Sequence, residues 1–189
     1  MTDTEPVRSS SNKLSTKLNR LSEIAKQNPT FKFTSLAHLL NKECLMESYR
    51  ELNSRAAAGI DQVSYKEYGK ELIANIEDLI ERLKSSKYKA VDIRRVWIPK
   101  PDGGQRPLGI LALEDKIVQR GVVKILSAIY EQDFLDSSYG FRENRNGHEA
   151  LKAIELSIME GGVNYLLDVD IRGYFDHIVP SVLKGRIQA

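Results

Sequence analysis

The stretch Arg94-Arg-Val-Trp-Ile-Pro-Lys-Pro-Asp-Gly-Gly-Gln-Arg-Pro-Leu-Gly-Ile110 decides the fold class. β-Branched and aromatic residues flank the turn-rich tetrapeptide Pro101-Asp-Gly-Gly104, the pattern of a β-hairpin. Pro99 and Pro107 carry no N–H donor, so the two strands are expected to be short or to lie at an edge. The hairpin is also basic. From Arg82 to Arg106 there are eight Lys/Arg and two Asp, a local balance of +6 in a chain whose net charge is +2. Arg94, Arg95, Lys100 and Arg106 on a twisted hairpin could grip phosphates, with Gly103-Gly104 letting the backbone approach closely. Taken by itself, a basic run is more often a solvated face, here with Trp97 covering the core.

Downstream lies Tyr165-Leu-Leu-Asp-Val-Asp-Ile-Arg-Gly-Tyr-Phe-Asp176. Val163 to Asp170 has the composition of a strand, which would put Asp168 and Asp170 on one face. A carboxylate at a strand end, followed by an open glycine turn, is a hard-oxygen donor suited to Mg²⁺. The residues alone leave another reading open, with Asp168 facing solvent and Asp176 capping the next helix.

Helices surround these segments. Leu14, Leu18, Leu21 and Ala25 recur at helical spacing as far as Asn28-Pro29, and a second helix is expected from Thr34 or Ser35 to Asn53. Residues 55–63 read as a turn or loop. Ser64-Tyr-Lys-Glu67 has capping-box spacing and opens a helix through Tyr68, Leu72, Ile76, Leu79, Ile80 and Leu83. Glu114 and Asp115 suit the start of a helix that runs to Ile129, in which Gly121 allows close packing. A loop over 133–146 precedes a helix from His148 to Met159, which Gly161-Gly162 ends; Pro180 fits the first position of a last helix.

Composition removes several classes. The chain has 189 residues, 41% hydrophobic and 29% charged, so a packed core is possible and wholesale disorder is not expected. The near-neutral total gives no support to a histone-like binder. One cysteine, Cys44, forms no internal disulfide, and with three histidines it offers no structural zinc site. Ser138 and His148 lack a third triad member, His38 and His177 read as surface or packing residues, and Cys44 as core. No apolar run reaches the roughly 18 residues of a membrane helix. The N-terminus shows no secretory signal, so the expectation is a cytoplasmic (intracellular) protein without membrane association.

Together the motifs resemble the reverse transcriptases of group II introns, the intron-encoded reverse transcriptase/maturase family. Ala58-Gly-Ile-Asp-Gln-Val63 is similar to the family's (A/P)GxDG segment, with Gln62 where glycine is more usual. Residues 94–110 resemble the first fingers motif, and Leu113–Gln119 the helix after it. Ser138-Tyr-Gly-Phe-Arg142 with Asn146-Gly-His148 resembles the second motif, Glu143 replacing a proline. Asp168–Asp176 looks like polymerase motif A. The matches are collinear and run from about Gly59 to Ile178, roughly two thirds of the chain.

The resemblance implies an α+β fold: a helical N-terminal extension (13–58) after a disordered tail (1–12), fingers with a β-hairpin and helices (59–160), and the start of the palm of a right-hand polymerase (161–189). It implies that Asp170 is a catalytic, metal-binding aspartate and that the Ile171 carbonyl is a further Mg²⁺ ligand. Phe175 would pack beneath the incoming sugar, and Lys100 and Arg106 would contact the dNTP triphosphate. Arg94, Arg95 and Arg142 are the nucleic-acid-binding candidates. The implied partners are template or intron RNA, a DNA primer and dNTPs. The family's YxDD motif is not among these residues, and no Asp-Asp pair occurs in the sequence. RNA-directed DNA polymerase activity is therefore expected of a longer parent and not of these residues alone. The alternatives are a non-catalytic fragment that binds RNA or self-associates, and a decayed gene product.

Overall fold

The computed structural model describes residues 7–188 apart from Asp102. They form two units, Met1–Gln132 and Asp133–Ala189. The architecture is mixed: α1 (Val7–Gln27), α2 (Lys42–Glu51), α3 (Tyr65–Lys70), α4 (Leu72–Lys84), an antiparallel hairpin of β1 (Arg94–Pro99) and β2 (Gln105–Ile110), α5 (Leu113–Tyr130), α6 (Gly147–Glu160) and α7 (Pro180–Gln188). The expected α+β class holds.

The first unit has the core. Leu45 and Tyr49 of α2, Tyr68 of α3, Ile76 and Leu79 of α4, and Leu113, Ile117 and Val118 of α5 pack together. The helical periodicities had marked these faces. Gly121 is a packing glycine: a Cβ there would meet Leu40 at 2.9 Å and the Cys44 sulfur at 3.4 Å. Cys44 is fully buried, and burial, ahead of all opposing effects, pushes its thiol pKa up. Along α1, Leu14 and Ala25 are buried, and the Ser22 hydroxyl donates to the Ala128 carbonyl of α5 at 2.8 Å.

Several boundaries differ from expectation. The expected disordered tail over 1–12 is helical from Val7; residues 1–6 lie outside the described residues. The second helix starts at Lys42 rather than Thr34, because the Asn41 side chain accepts from the Cys44 amide at 3.0 Å and fixes the first turn there. The helix expected from Ser64 to Leu83 breaks at Glu71, whose φ/ψ of −122°/37° is non-helical. Tyr49 explains the break: it stacks on Tyr65 at 4.1 Å, donates to the Tyr65 carbonyl at 2.9 Å, and leaves room for only a glycine at 69. The Tyr68 carbonyl freed by the break accepts from Asn75 Nδ2 at 2.9 Å. Of the capping box at Ser64, the forward half is present, a bond from the Glu67 amide at 3.2 Å, while the Glu67 carboxylate pairs with Lys70 at 2.7 Å.

The second unit has no buried residue among those described. α6 begins on a full capping box of Asn146 and Glu149, and Gly161 ends it as expected. The strand expected over 163–170 is not formed. A strand exists through its ladder, and β1 and β2 spend theirs on each other. Asp176 does not cap α7; it lies in the short 3₁₀ turn Phe175–His177.

Candidate functional site

The hairpin register divides the basic residues. Arg94 pairs with Ile110, Arg95 with Gly109, Val96 with Leu108, Trp97 with Pro107, Ile98 with Arg106 and Pro99 with Gln105. Opposite residues share a face, and faces alternate along a strand. One face therefore carries Arg94 and Arg106 with Val96, Ile98 and Leu108, and the other carries Arg95 and Trp97 with Pro99, Gln105 and Pro107. Lys100 closes the ladder: its amide donates to Gly104 at 2.8 Å, and the Gly103 amide donates back to Lys100 at 3.1 Å. Gly103 has φ +82°, which glycine accepts without cost.

Arg95, Lys100 and Arg106 are exposed, and their side chains have no hydrogen-bond or ion-pair partner among the described residues. Arg94 is half-buried at the hairpin base, with its Nε out of solvent and unbonded. Trp97 is 55% exposed, which overturns its reading as a cover for the core.

The base of the hairpin is held by residues that the motifs did not single out. Asp115, in the first turn of α5, is only 3% exposed. Its Oδ1 accepts from the Tyr88 hydroxyl and its Oδ2 from the Val91 amide at 3.3 Å, three residues before β1. Beside it, Glu114 accepts from Arg82 at 2.8 Å and from the Tyr68 hydroxyl at 3.2 Å. Burial, then the Asp115 hydrogen bond, raises the Tyr88 pKa; burial, then the Glu114 charge, raises that of Tyr68. The Glu114 hydrogen bond raises that of Arg82 against partial burial. The sequence did hold a signal. Asp115 falls in helical phase with Val118, Val122 and Ile125, so an acid sits on the apolar stripe.

In the second unit, Asp168, Asp170 and Asp176 are exposed, and the described residues contain no group of three or more side chains placed to hold a metal ion. Ile171 lines an open groove with Tyr174, Ile178, Val182 and Leu183. Phe175 stands exposed, edge-on to Tyr174 at 5.3 Å. Arg142, a nucleic-acid-binding candidate, hydrogen-bonds its own loop. Its Nη1 donates to the Leu135 and Ser138 carbonyls at 2.7 and 2.8 Å, and its guanidinium lies 5.1 Å from the Phe134 ring centroid. Arg145 closes the same loop through Asp136, at 3.2 Å from its carboxylate. Among the described residues, no helix is long and apolar enough to cross a membrane.

Residues 98–186 match the reverse transcriptase (RNA-dependent DNA polymerase) family. Protein YkfC of Escherichia coli K12 is 34% identical over 176 residues, covering 89% of this chain and 46% of that protein. The group II intron-encoded protein LtrA of Lactococcus lactis subsp. cremoris is 35% identical over 175 residues, covering 90% of this chain and 28% of LtrA. An uncharacterised 91 kDa protein in the cob intron of Schizosaccharomyces pombe is 30% identical over 167 residues, covering 85% of this chain and 20% of that protein. The chain belongs to the group II intron-encoded reverse transcriptase/maturase family. It spans less than half the length of each of these relatives.

Proposed function

We propose that these residues are the N-terminal extension (13–58), the fingers (59–160) and the start of the palm (161–189) of an RNA-directed DNA polymerase of the group II intron type. The observation that carries the proposal is the hairpin: Lys100 and Arg106 stand exposed, without partners among the described residues, on a rigid ladder inside the family match. Two unpaired cations on a fixed frame suit the β- and γ-phosphates of an incoming dNTP, where phosphoryl transfer needs charge neutralised. Phe175 takes the place beneath the sugar, where an aromatic ring leaves no room for a 2′-OH. Template or intron RNA, a primer and dNTPs are the partners this reading requires.

Asp170 and the Ile171 carbonyl are hard-oxygen donors, the right chemistry for Mg²⁺, which binds few carboxylates and keeps several waters. They fit a share in one ion. Polymerases use two, about 3.5–4 Å apart, to stabilise the attacking and leaving oxygens. The sequence has no adjacent Asp-Asp pair to complete that set. The 189 residues alone are therefore proposed not to polymerise.

The test is RNA-templated incorporation by a chain completed through a Tyr-x-Asp-Asp segment. Asp170→Asn should abolish it, Arg106→Ala should raise the KM for dNTP at least tenfold, and Phe175→Ala should relax discrimination against rNTPs. Full activity of the Asp170→Asn protein, or Mg²⁺-dependent cDNA synthesis by the 189-residue chain, would refute the corresponding part.

A further inference from the structure

We propose that Asp115 is a positioning residue for the hairpin: it holds the entry to β1 against the same turn of α5 into which β2 runs, and so fixes where Lys100 and Arg106 meet the dNTP triphosphate. The inference rests on the reading of Lys100 and Arg106 given above and adds to it a buried residue outside the cationic pair.

A hairpin has two feet, and its tilt is set only when both are held. The exit foot is held by its covalent path. β2 ends at Ile110 and α5 begins at Leu113, so only Leu111 and Ala112 join them. Ala112 is buried, and a Cβ on Gly59 would lie 2.5 Å from its Cα, so the loop at Gly59 pins this link by close packing. The entry foot has no such constraint, because residues 85–93 form neither helix nor strand between α4 and β1. Asp115 supplies the constraint. Its Oδ1 accepts from the Tyr88 hydroxyl and its Oδ2 from the Val91 amide at 3.3 Å. Tyr88 is itself fixed from behind, since its amide donates to the Arg82 carbonyl of α4 at 3.0 Å. Past Val91, Ile93 packs on β2, where a Cβ at Gly109 would meet Ile93 Cγ2 at 2.8 Å.

The first turn of α5 divides its work by residue. Glu114 accepts from Arg82 and Tyr68, and the Lys116 ammonium donates to the Ala57 carbonyl at 2.9 Å. Of these three consecutive residues, Asp115 is the one that reaches the entry to β1. A carboxylate suits the post, because its two oxygens accept two donors at once and the bonds are charge-assisted. An apolar side chain could pack there but could not orient the entering chain. The lever arm makes the effect large. Lys100 lies six residue steps beyond Arg94, roughly 20 Å along an extended strand, so a tilt of about 10° at the base moves the tip by about 3 Å. Displacement on the order of 1 Å already costs heavily where groups must meet a substrate in fixed geometry.

The test compares two isosteric substitutions in the chain completed through a Tyr-x-Asp-Asp segment. Tyr88→Phe removes a hydroxyl donor from Asp115, and Tyr68→Phe removes the same group from the neighbouring Glu114. Both should lower the urea midpoint. Tyr88→Phe and Asp115→Asn should also raise the KM for dNTP about two- to tenfold, the weight of one hydrogen bond, as fewer molecules hold the hairpin in the binding orientation. kcat should fall by less than about twofold, because the loss is in binding. Tyr68→Phe should leave KM unchanged. Trp97, the single tryptophan, lies on β1 and gives a second readout on the 189-residue chain. The amplitude of its nanosecond anisotropy decay should rise in Tyr88→Phe and Asp115→Asn and stay at the wild-type value in Tyr68→Phe. Equal KM changes in Tyr68→Phe and Tyr88→Phe, or an unchanged anisotropy decay in Asp115→Asn, would overturn the proposal by reducing Asp115 to a core contact. Unchanged KM in Tyr88→Phe and Asp115→Asn while Arg106→Ala raises it would overturn the positioning role and spare the triphosphate reading. Unchanged KM in Arg106→Ala would sink the triphosphate reading, and the positioning role with it, whatever the anisotropy shows.

Discussion

Gln62 has φ +58°, in the left-handed region that costs a residue with a Cβ about 1–2 kcal/mol. Glycine would adopt this backbone without that cost. The Gln62 amide donates to Gly59 at 3.4 Å and its side chain adds a 3.3 Å bond, which closes a tight turn. Gln62→Gly should stabilise the chain by about 1 kcal/mol, less than the strain itself because glycine gains freedom when unfolded. The check is a rise in the urea midpoint at constant m. Gly59→Ala should do the opposite, since its Cβ would sit 2.5 Å from the Ala112 Cα; overpacking of this kind costs about 1–3 kcal/mol. Three tyrosines set the alkaline limit. Burial, then the Tyr65 carbonyl, pushes Tyr49 up to about 12, and Tyr68 and Tyr88 are also raised. The folded state holds these protons more tightly than the unfolded state. Stability is therefore full below the free tyrosine pKa of about 10 and falls as pH rises through the folded values. Urea midpoints measured from pH 8 to 11 should decline beyond about 10, and Tyr88→Phe should lessen the slope. At the acid end, hydrogen bonds from Lys124 and Arg120 outweigh partial burial and lower the Glu51 pKa, so that contribution is lost as pH falls below about 4.3.

Among the elements, the hairpin and α5 depend on one another. Asp115 ties α5 to the segment that enters β1, while Glu114 ties it to α3 and α4 through Tyr68 and Arg82. Asp115→Asn would turn an amide N–H₂ toward a donor in a buried place, at a cost of about 1–3 kcal/mol. Hydrogen exchange should then accelerate in the hairpin amides more than in α1; equal acceleration throughout would show that Asp115 serves only the core. What could be read in advance follows the same division. Signals local in sequence were sufficient: the turn glycines gave the hairpin, the apolar stripes gave α1, α4 and α5, and Asn146 lies where α6 begins. Features set by contacts distant in sequence were not. The break at Glu71 depends on Tyr49, the anchor at Asp115 on Tyr88, and the missing strand over 163–170 on the lack of a paired neighbour. The site divides likewise. Charge and turn pattern single out Arg95, Lys100 and Arg106 as candidates, but their separation onto two faces needed the register, and the exposure of Trp97 runs against its reading as a cover for the core. Arg142 is named by its motif, and its hydrogen bonds to the Leu135 and Ser138 carbonyls, which the motif does not foretell, hold its own loop.

At the scale of the whole chain, stability is concentrated in the first unit. Residues such as Leu45, Ile76, Leu79 and Ile117 are fully buried there, and each such side chain contributes roughly 1.5–3 kcal/mol through burial. The second unit has helices and a capping box but leaves Leu151, Leu167, Val169, Phe175 and Leu183 in water. Hydrogen bonds within an isolated helix of 14 residues are marginal without a packed face. The two units should therefore unfold separately. Exchange measured by mass spectrometry should show protection approaching the global value in α2, α4 and α5, and near-free exchange from Asp133 to Gln188. The urea m-value should correspond to the surface of the first unit alone. The same exposed apolar side chains should bind a dye such as ANS and drive association as concentration rises, which sedimentation would detect. Removing residues 133–189 should abolish both effects while leaving the melting midpoint of the first unit nearly unchanged. One transition with an m-value for the entire chain, and protection extending through α6, would show instead that the second unit has a core of its own.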